Sequence, residues 1–295
     1  MNPHPVTRSV LMIGLMALGL AGGGGCHYET AQPAPVHEVA LFGTLYVGEA
    51  IDPNNAIHLS WTEPVNQYYS PANAAIDDAL VTIWEDGSAR VDTLFPVPLR
   101  PGFYAQPDLT IDSLTTYHLR ASVDAATVLT ATTTTPRPFH VLHGPPEIPA
   151  FVVHAEIAQR FPLVFQCADP DQIFLIDDYC VEDYNNARYV FSIGAGNTPS
   201  NYQEYGGDNG EPRHIFAYGR VRNLAQTPDG YTIPFYGDLM AFYGRYTVGL
   251  YSIDGNYYSY LYRDHPELHG GIHGGIGCFS SASRKVYHVN TVESD

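Results

Sequence analysis

The chain has 295 residues, of which 45% are hydrophobic, and a formal net charge of −17. This is the composition of a globular protein of about two domains, with enough apolar side chains for a sizeable core. Only 14 residues are lysine or arginine, and Lys285 is the only lysine. Binding a phosphate backbone needs clustered cations, so we exclude nucleic acid as a partner, and the acidity also argues against electrostatic docking on anionic lipid.

The first residues have the pattern of an export signal. Arg8 is the only charged side chain ahead of an apolar run at 10–21, and glycines follow this run up to Cys26. The run is shorter than the roughly 20 apolar residues that a transmembrane helix needs, and no later stretch is long enough. We therefore predict that residues 1–26 are a signal peptide and that the rest of the chain is exported.

The cysteine at the end of this segment indicates a lipid anchor. Gly25 and Cys26 resemble the end of a bacterial lipobox, in which a peptidase cuts before the cysteine and a diacylglycerol is attached to its sulfur. Gly23 stands where lipoboxes prefer leucine. We predict lipidation at Cys26 with residues 27–38 as a proline-containing tether, and the alternative is plain cleavage near Ala21.

The next segment, 39–138, is predicted to be an immunoglobulin or fibronectin III-like β-sandwich. Short strand-like runs alternate with turn residues, and apolar residues alternate strictly with polar ones at 117–123. Leu114 with Tyr117 resembles the tyrosine corner of such modules. Trp61 is interpreted as a core residue, with a sugar platform as the alternative. The predicted strands are 39–47, 57–61, 79–84, 88–94, 116–123 and 127–135.

A second β-rich domain with long loops, 139–295, follows a proline-containing boundary at 132–138. Asp254 as an N-cap, with tyrosines at helical spacing after it, favours a short helix over a hairpin turn. The glycines of 270–277 indicate backbone that needs positive φ or a close approach. The predicted strands are 151–157, 161–166, 188–193, 214–221, 240–243, 245–253 and 285–292, and polar loops are expected at 168–178 and 194–213.

Four cysteines occur in the chain, and an exported protein meets an oxidising compartment. If Cys26 carries lipid, three cysteines remain, so at most one disulfide forms within the monomer. We prefer Cys167 with Cys180, because this pair would close a short acidic segment into a loop. If Cys26 stays unmodified, the four cysteines allow three pairings, and parity does not choose among them.

Three histidines have a spacing that is used by metal sites. His265, His269 and His273 are four residues apart, as zinc ligands on one helical face would be. Gly270 and Gly271 break such a helix between the second and third histidine, so the spacing loses its geometric meaning. We favour a solvated, glycine-rich loop over a zinc site.

Carboxylates gather around the Cys167 to Cys180 segment, and calcium prefers such oxygen ligands. Their spacing fails the EF-hand pattern, because Ile173 stands where a third ligand belongs. We favour an acidic loop that is kept soluble by its charge over a calcium site. The weak candidates are Asp169, Asp171, Asp177 and Asp178, with Glu182 and Asp183 beside them.

No motif of a common catalytic site occurs in the sequence. It lacks a Gly-x-Ser-x-Gly elbow, a His-Glu-x-x-His pair and a Cys-x-x-Cys pair, and the glycines of 270–277 lack the βαβ setting of a nucleotide site. We predict a protein that is not an enzyme and carries no cofactor. Its 22 tyrosines against 13 phenylalanines suit a binding surface and half-exposed strands equally well.

Several stretches of the sequence, and the order in which they occur, resemble the lipoprotein family known as domain of unknown function 4249, found mainly in Bacteroidetes-type bacteria. The resemblance spans nearly the whole mature chain and implies an envelope lipoprotein with an immunoglobulin-like front domain, often associated with TonB-dependent outer-membrane transporters. It implies no catalytic residues. The stretches are 39–47, 79–87 (ALVTIWEDG), 114–119 (LTTYHL), the prolines at 136 and 138, 248–254 (VGLYSID), 257–260 (YYSY) and 274–279 (GGIGCF).

The leading hypothesis is therefore a non-enzymatic binding or accessory lipoprotein of the cell envelope. It is expected to be attached to the outer membrane through lipid on Cys26 and to work next to a TonB-dependent outer-membrane protein. One alternative is a structural or adhesive surface protein without a transporter. A second alternative is an extracellular hydrolase that uses carboxylates of the second domain, since glycosidases need only two well-placed carboxylates.

Overall fold

The fold is described from a computed structural model. The structure describes residues 37–63, 70–144, 151–154, 160–181, 188–189, 214–236, 242–265 and 269–292. The predicted signal peptide with Cys26, most of the tether and the predicted loop at 194–213 lie outside these residues and stay predictions. Strands dominate the described residues, which confirms the all-β prediction. No helix in the described ranges is long and apolar enough to cross a membrane.

The front half consists of short strands and one helical turn. The strands β1, β3, β6, β5, β4, β7 and β8 follow one another in one large curled sheet, whose two layers, β1–β3–β6 and β5–β4–β7–β8, are joined by a short β5–β6 pairing. This order is that of the predicted fibronectin III-like sandwich. The elements are β1 (Val39–Tyr46), β2 (Ala50–Ile51), β3 (Ile57–Trp61), α1 (Pro71–Ala74), β4 (Leu80–Glu85), β5 (Asp92–Pro96), β6 (Phe103–Thr110), β7 (Thr116–Ser122) and β8 (Val128–Thr134).

The second half continues the same large sheet and adds a small one. Strands β14, β12, β17 and β19 follow one another in the large sheet, whereas β15, β16, β11 and β9 form a separate sheet. The elements are β9 (His140–His143), β10 (Phe151–His154), β11 (Arg160–Gln166), β12 (Ile173–Cys180), β13 (Arg188–Tyr189), β14 (His214–Arg220), a 3₁₀ turn (Val221–Asn223), β15 (Ala225–Thr227), β16 (Gly230–Tyr236), β17 (Phe242–Ile253), α2 (Gly255–Tyr262), β18 (Ile272–His273) and β19 (Ile276–Val292).

The alternating pattern of β7 has the predicted physical consequence. Tyr117, Leu119 and Ala121 are fully buried, while Arg120 between them is exposed. The Tyr117 hydroxyl accepts a hydrogen bond of 2.8 Å from the main-chain N–H of Asp112, so it ties the preceding loop to the strand. The tyrosine corner that the sequence predicts is confirmed by this contact.

The last strand joins the two halves. The first part of β19, Ile276 to Ala282, pairs in parallel with β1, and its later part pairs with β17 as an antiparallel neighbour. Residues Val36–Asp295 group into one compact unit. The boundary predicted at 132–138 stays a prediction, and the structure shows that the closing strand lies in the same sheet as strands from both sides of it.

Each half nevertheless has its own hydrophobic core. The front core includes Leu41, Leu59 and Phe279, the last of which comes from β19. The second core lies between the large sheet and the small one, where the rings of Phe165 and Phe174 are 4.4 Å apart by their centroids. One face of β12, β17 and β19 packs on this second core. Their other face therefore points away from it, and that face carries the candidate site.

The glycines around the start of β19 allow the close approach that the sequence predicts. Gly277 has φ of +117°, and a Cβ there would lie 2.1 Å from the carbonyl oxygen of Leu41. A Cβ on Gly270 would lie 1.9 Å from the carbonyl oxygen of Gly277. A side chain at Gly277 would push β19 away from β1, and one at Gly270 would push the preceding segment away from β19.

One prediction of local structure is wrong, and one strand is missed. The sequence predicts a polar loop at 168–178, but β12 begins at Ile173 and is hydrogen-bonded to both β14 and β17. The apolar run at 173–176 is short and is followed by two aspartates, so it resembles a loop although it forms an interior strand. Strand β6 is also missed, because Pro107 interrupts its pattern.

Candidate functional site

The helix predicted after Asp254 packs on the face of the large sheet that also carries the site. Asp254 is its N-cap, and its Oδ1 accepts a hydrogen bond of 2.8 Å from the main-chain N–H of Tyr257. The helix packs Tyr257 and Leu261 against Ile253 and neighbouring side chains of the large sheet. The short-helix prediction is confirmed.

The helix cap belongs to a buried polar junction, formed by Thr133, Asp254, Asn256 and Ser281. The Thr133 hydroxyl donates to Asp254 Oδ2 at 2.5 Å and lies 2.9 Å from Ser281 Oγ. Asn256 donates from Nδ2 to the carbonyl oxygens of Thr132 and Phe279 at 2.7 and 2.9 Å. Burial raises the pKa of Asp254 to about 6, although its hydrogen bonds counteract this rise.

Beyond the helix, the same face of the large sheet forms an open groove with a volume of about 670 Å³. We call it the tyrosine–arginine groove. Its polar and apolar groups come from β17, β19 and the turn after β1, so three parts of the chain converge on it. It is lined by Glu49, Thr247, Tyr251, Arg284, Lys285, Val286 and His288.

The strand register explains why Thr247, Tyr251, Arg284 and His288 share one face, whereas Lys285, next to Arg284 in the strand, lies on the opposite face. Tyr251 lies opposite Arg284, and Thr247 lies opposite His288, in the antiparallel pairing of β17 with β19. Between them is Gly249, where a Cβ would lie 2.2 Å from Cε2 of the Tyr251 ring. Glycine at this position therefore lets the Tyr251 ring lie across the sheet and form part of the groove floor.

Arg284 fixes the wall of the groove. Its Nε and Nη2 donate to the two carboxylate oxygens of Glu49 at 2.8 and 2.5 Å, and its guanidinium carbon lies 3.6 Å from the centroid of the Tyr46 ring. A bidentate guanidinium–carboxylate pair has a defined geometry, so it holds the turn after β1 against β19. Asn55 also donates to Glu49 at 3.0 Å.

Tyr251 in the groove and the nearby Tyr46 and Tyr257 are neutral hydrogen-bonding groups. Burial raises the pKa of Tyr251 to about 12, and burial also raises the pKa values of Tyr46 and Tyr257. Arg284 partly offsets the first of these rises through its charge and a hydrogen bond. Each phenol therefore keeps its proton near neutral pH, and Tyr251, which lines the groove, can donate to a ligand.

Two other openings are less suited to ligand recognition. One is a small cavity of about 150 Å³ beside Trp84 and Tyr117, within the front half. The other is an open groove of about 570 Å³ where Pro136, Arg137 and Asp254 meet the β11–β12 turn. In the second, the Asp254 carboxylate is already engaged by the polar junction. We therefore take the tyrosine–arginine groove as the candidate site.

The structure places the acidic residues that were weak candidates for calcium ligands in different local structures. Asp169 accepts from the main-chain N–H of Asp171 at 2.9 Å and so stabilises the turn between β11 and β12. Asp171 forms an ion pair of 2.8 Å with Arg222. Asp177 and Asp178 lie further along β12, opposite Gly249 and Val248 of β17. They are strand residues rather than members of one loop.

The histidine candidates lie in three different local structures. His265 follows the end of α2 with φ of +55°, His269 lies in a turn, and His273 is in β18. No helix carries them together, as the glycine break predicts. Among the residues that the structure describes, no three His, Cys, Asp or Glu side chains are grouped so that they could hold a metal ion.

The predicted Cys167–Cys180 disulfide is wrong, because the structure contains no bond between these residues. Cys167 lies before β12, and its Sγ is 3.3 Å from Oε1 of Gln172. Cys180 is the last residue of that strand. An extended strand rises about 3.3 Å per residue, so the strand places the two cysteines roughly 20 Å apart, beyond the reach of a disulfide.

The sequence missed most of the groove. The surplus of tyrosines indicated a binding surface, and Tyr251 is part of it, but Glu49 and Arg284 are far apart in sequence and carried no motif. Lys285 was notable only as the single lysine. Period-2 alternation in β19 could have placed Arg284 and His288 on one face, had the strand been predicted from Ile276 onward.

The family follows from a comparison with known sequences. Residues 50–287 match the family described as Domain of unknown function (DUF4249). The chain belongs to this family. The match includes most of the groove residues of this DUF4249 protein, among them Tyr251 and Arg284, and it confirms the resemblance found in the sequence. No curated protein matches the chain.

Solved structures resemble this DUF4249 protein only distantly. The chicken CNTN1 FN1-FN3 domains match with 10% identity and a TM-score of 0.25, over 86% of this chain and 66% of that chain, just under two thirds of its length. A two-domain fibronectin type III segment of chicken tenascin matches with 10% identity and a TM-score of 0.20, over 87% of this chain and 100% of that chain. At these scores the likeness adds nothing to the strand order described above.

Proposed function

We propose that this DUF4249 protein is a non-enzymatic binding lipoprotein of the cell envelope that works next to a TonB-dependent outer-membrane transporter. Lipid on Cys26 anchors it, and residues 27–38 connect the anchor to β1. The tyrosine–arginine groove is the observation that carries the proposal. It is open, it has a wall fixed by Glu49 and Arg284, and it combines aromatic with hydrogen-bonding groups, which is the chemistry of binding sites.

The arrangement of the groove favours recognition over turnover. Among the described residues that line it, the one carboxylate is Glu49, which accepts hydrogen bonds from Arg284 on both oxygens. A general base or nucleophile needs an oxygen that can reach the substrate, and this ion pair occupies both. The neutral tyrosine and threonine hydroxyls, in contrast, can donate and accept without any change of charge.

A pull-down from native membranes tests the proposal. The tagged full-length protein is solubilised in mild detergent beside a Cys26→Ala variant, and co-purifying proteins are identified by mass spectrometry. We expect a TonB-dependent barrel with the wild type, and a diacylglycerol on Cys26 of the mature protein. An acylated protein that is recovered alone, even after crosslinking, would contradict the proposal.

An adhesive surface protein is the second candidate, and exposed apolar side chains on the front half favour it. Leu99 is 100% exposed at the β5–β6 turn with φ of +63°, and Phe95 and Leu80 are 59% and 57% exposed. A contiguous exposed apolar patch marks a contact surface, and Leu80 and Phe95 lie on the neighbouring strands β4 and β5. If adhesion is the function, cells that express the Leu99→Ser variant will attach less well to a surface, whereas cells that express the Tyr251→Ala variant, which alters the groove, will attach normally.

A further inference from the structure

The Tyr251 ring forms a platform on the floor of the tyrosine–arginine groove. A Cβ on Gly249 would lie 2.2 Å from Cε2 of this ring, 2.6 Å from its Cζ and 2.6 Å from its hydroxyl oxygen. The outer part of the ring therefore lies over the main chain of Gly249, in space that a larger residue would fill. Tyr251 is half-buried, so part of the ring stays open to a ligand.

The platform is held in place by Arg284. This arginine lies opposite Tyr251 in the pairing of β17 with β19 and forms a hydrogen bond with the phenol. The guanidinium is itself fixed by its two hydrogen bonds to Glu49, at 2.8 and 2.5 Å. The phenol oxygen accepts from Arg284, so the tyrosine O–H remains a donor. The ring is thus ordered before any ligand arrives, which lowers the entropy cost of binding.

Hydrogen-bonding side chains stand around the platform. Asp177 lies opposite Gly249 on the β12 side, and Thr247 lies opposite His288 two residues further along β17. Neighbouring strands are about 4.8 Å apart, and residues two apart on a strand are separated by about 7 Å, so one small ligand can reach all of these groups. The charge of Asp177 also acts on Tyr251, where it adds to the rise in the pKa of the phenol.

The charges on this face favour a neutral ligand over an ion. Arg284 and Glu49 compensate each other, and Asp177 brings a further carboxylate to the groove face. Lys285 lies on the other face of β19. An anion would therefore be repelled by Asp177, whereas a cation would meet the guanidinium of Arg284 beside the platform.

We propose that the tyrosine–arginine groove binds a neutral saccharide, one ring of which stacks on the Tyr251 ring. Hydroxyl groups of this sugar donate to the carboxylate of Asp177 and exchange hydrogen bonds with Thr247 and His288. This inference rests on the proposed binding function and adds the ligand class.

The chemistry of a sugar matches that of the groove. A sugar ring has an apolar face of C–H groups, which packs on an aromatic ring, and a rim of hydroxyls that both donate and accept. A carboxylate can accept several hydrogen bonds at once, so Asp177 can serve a sugar hydroxyl in addition to its contacts within the protein. The groove volume of about 670 Å³ lies within the usual range for small-molecule sites, about 300–1,000 Å³.

Isothermal titration calorimetry of the full-length protein tests the assignment, in a detergent that has no sugar head group. The probes are four neutral trisaccharides, cellotriose, maltotriose, mannotriose and xylotriose, with citrate as an anion and spermidine as a cation. We expect at least one trisaccharide to bind, and to bind more tightly than either ion. The identity of that trisaccharide names the sugar.

Variants of the platform separate stacking from a general effect on the fold. Tyr251→Ala should weaken saccharide binding by about tenfold, because it removes the ring. Gly249→Ala should weaken binding by a similar factor although it removes no polar group, because its Cβ displaces the ring. The matched control is Tyr262→Ala, the same substitution at a tyrosine of α2 that packs on Tyr258, and it should leave binding unchanged.

Thr247→Val keeps the shape of the side chain and should weaken binding by about fivefold, so it serves as a further variant if the platform variants do not fold. The assignment is overturned if no trisaccharide binds at millimolar concentration, if citrate or spermidine binds more tightly than every trisaccharide, or if Tyr262→Ala weakens binding as much as Tyr251→Ala. A transporter recovered in the pull-down by a protein that binds no trisaccharide would leave the proposed function standing and remove this inference alone.

Discussion

Asp254 is expected to make the stability of the protein depend on pH. Its carboxyl is buried in the polar junction, and burial raises its pKa from 3.8 to about 6. The folded state therefore holds a proton that the unfolded state releases between pH 4 and 6. This stabilisation is fully present below about pH 4 and is lost as the pH rises through 6.

The magnitude follows from the two pKa values. A rise from 3.8 to about 6 corresponds to about 3 kcal/mol at full extent, and to about 2 kcal/mol between pH 4.5 and pH 7. The Asp254→Asn variant keeps a side chain that caps helices well but cannot titrate. We expect the free energy of unfolding of the wild type, relative to this variant, to fall by about 2 kcal/mol over that range.

Urea unfolding followed by tryptophan fluorescence and circular dichroism at pH 4.5 and pH 7 measures this difference. The other carboxyl groups titrate equally in both proteins, so the comparison isolates Asp254. Asp254→Ala serves as the control for the cap and should lose about 1 kcal/mol relative to Asn at both pH values. A difference that stays constant, or that grows with pH, would show that the hydrogen bonds of Asp254 outweigh its burial.

Three further outcomes are expected from the fold. Tyr117→Phe should lower the free energy of unfolding by about 1–2 kcal/mol, because the main-chain N–H of Asp112 loses its acceptor. Urea unfolding at pH 7 measures this free energy, and an unchanged value would refute the tyrosine corner. Gly277→Ala should cost more than about 2 kcal/mol or prevent folding, since its φ of +117° and the nearby β1 carbonyl exclude a side chain; a variant with the wild-type melting temperature would contradict this. Dithiothreitol should leave the melting temperature unchanged, because Cys167 and Cys180 are not bonded. A large decrease in the melting temperature would instead show that a disulfide forms.

The parts of the fold that the sequence predicted are those with local signals. The alternation around Leu119, the tyrosine corner at Tyr117 and the N-cap at Asp254 each depend on residues that are near one another in the chain. The glycines before β19 are also local, since glycine reports a backbone requirement directly. All of these features are present in the structure.

The parts that the sequence missed depend on distant contacts. Strand β12 was taken for a loop because Asp177 and Asp178 follow its apolar run, and only its pairing with β14 and β17 makes it an interior strand. The groove joins Glu49 to Arg284 through the parallel pairing of β1 with β19, which no local pattern reveals. The disulfide prediction failed for the same reason, since β12 separates its two cysteines.

The central claim is that the tyrosine–arginine groove is the surface through which the protein binds. A photo-crosslinking amino acid placed at His288, in the groove, tests it in living cells, and the same group at Arg120, on the exposed face of β7, is the control. The account predicts a crosslinked product, transporter or cargo, from position 288 and none from position 120. Crosslinks from position 120 alone, or from neither position, would contradict it.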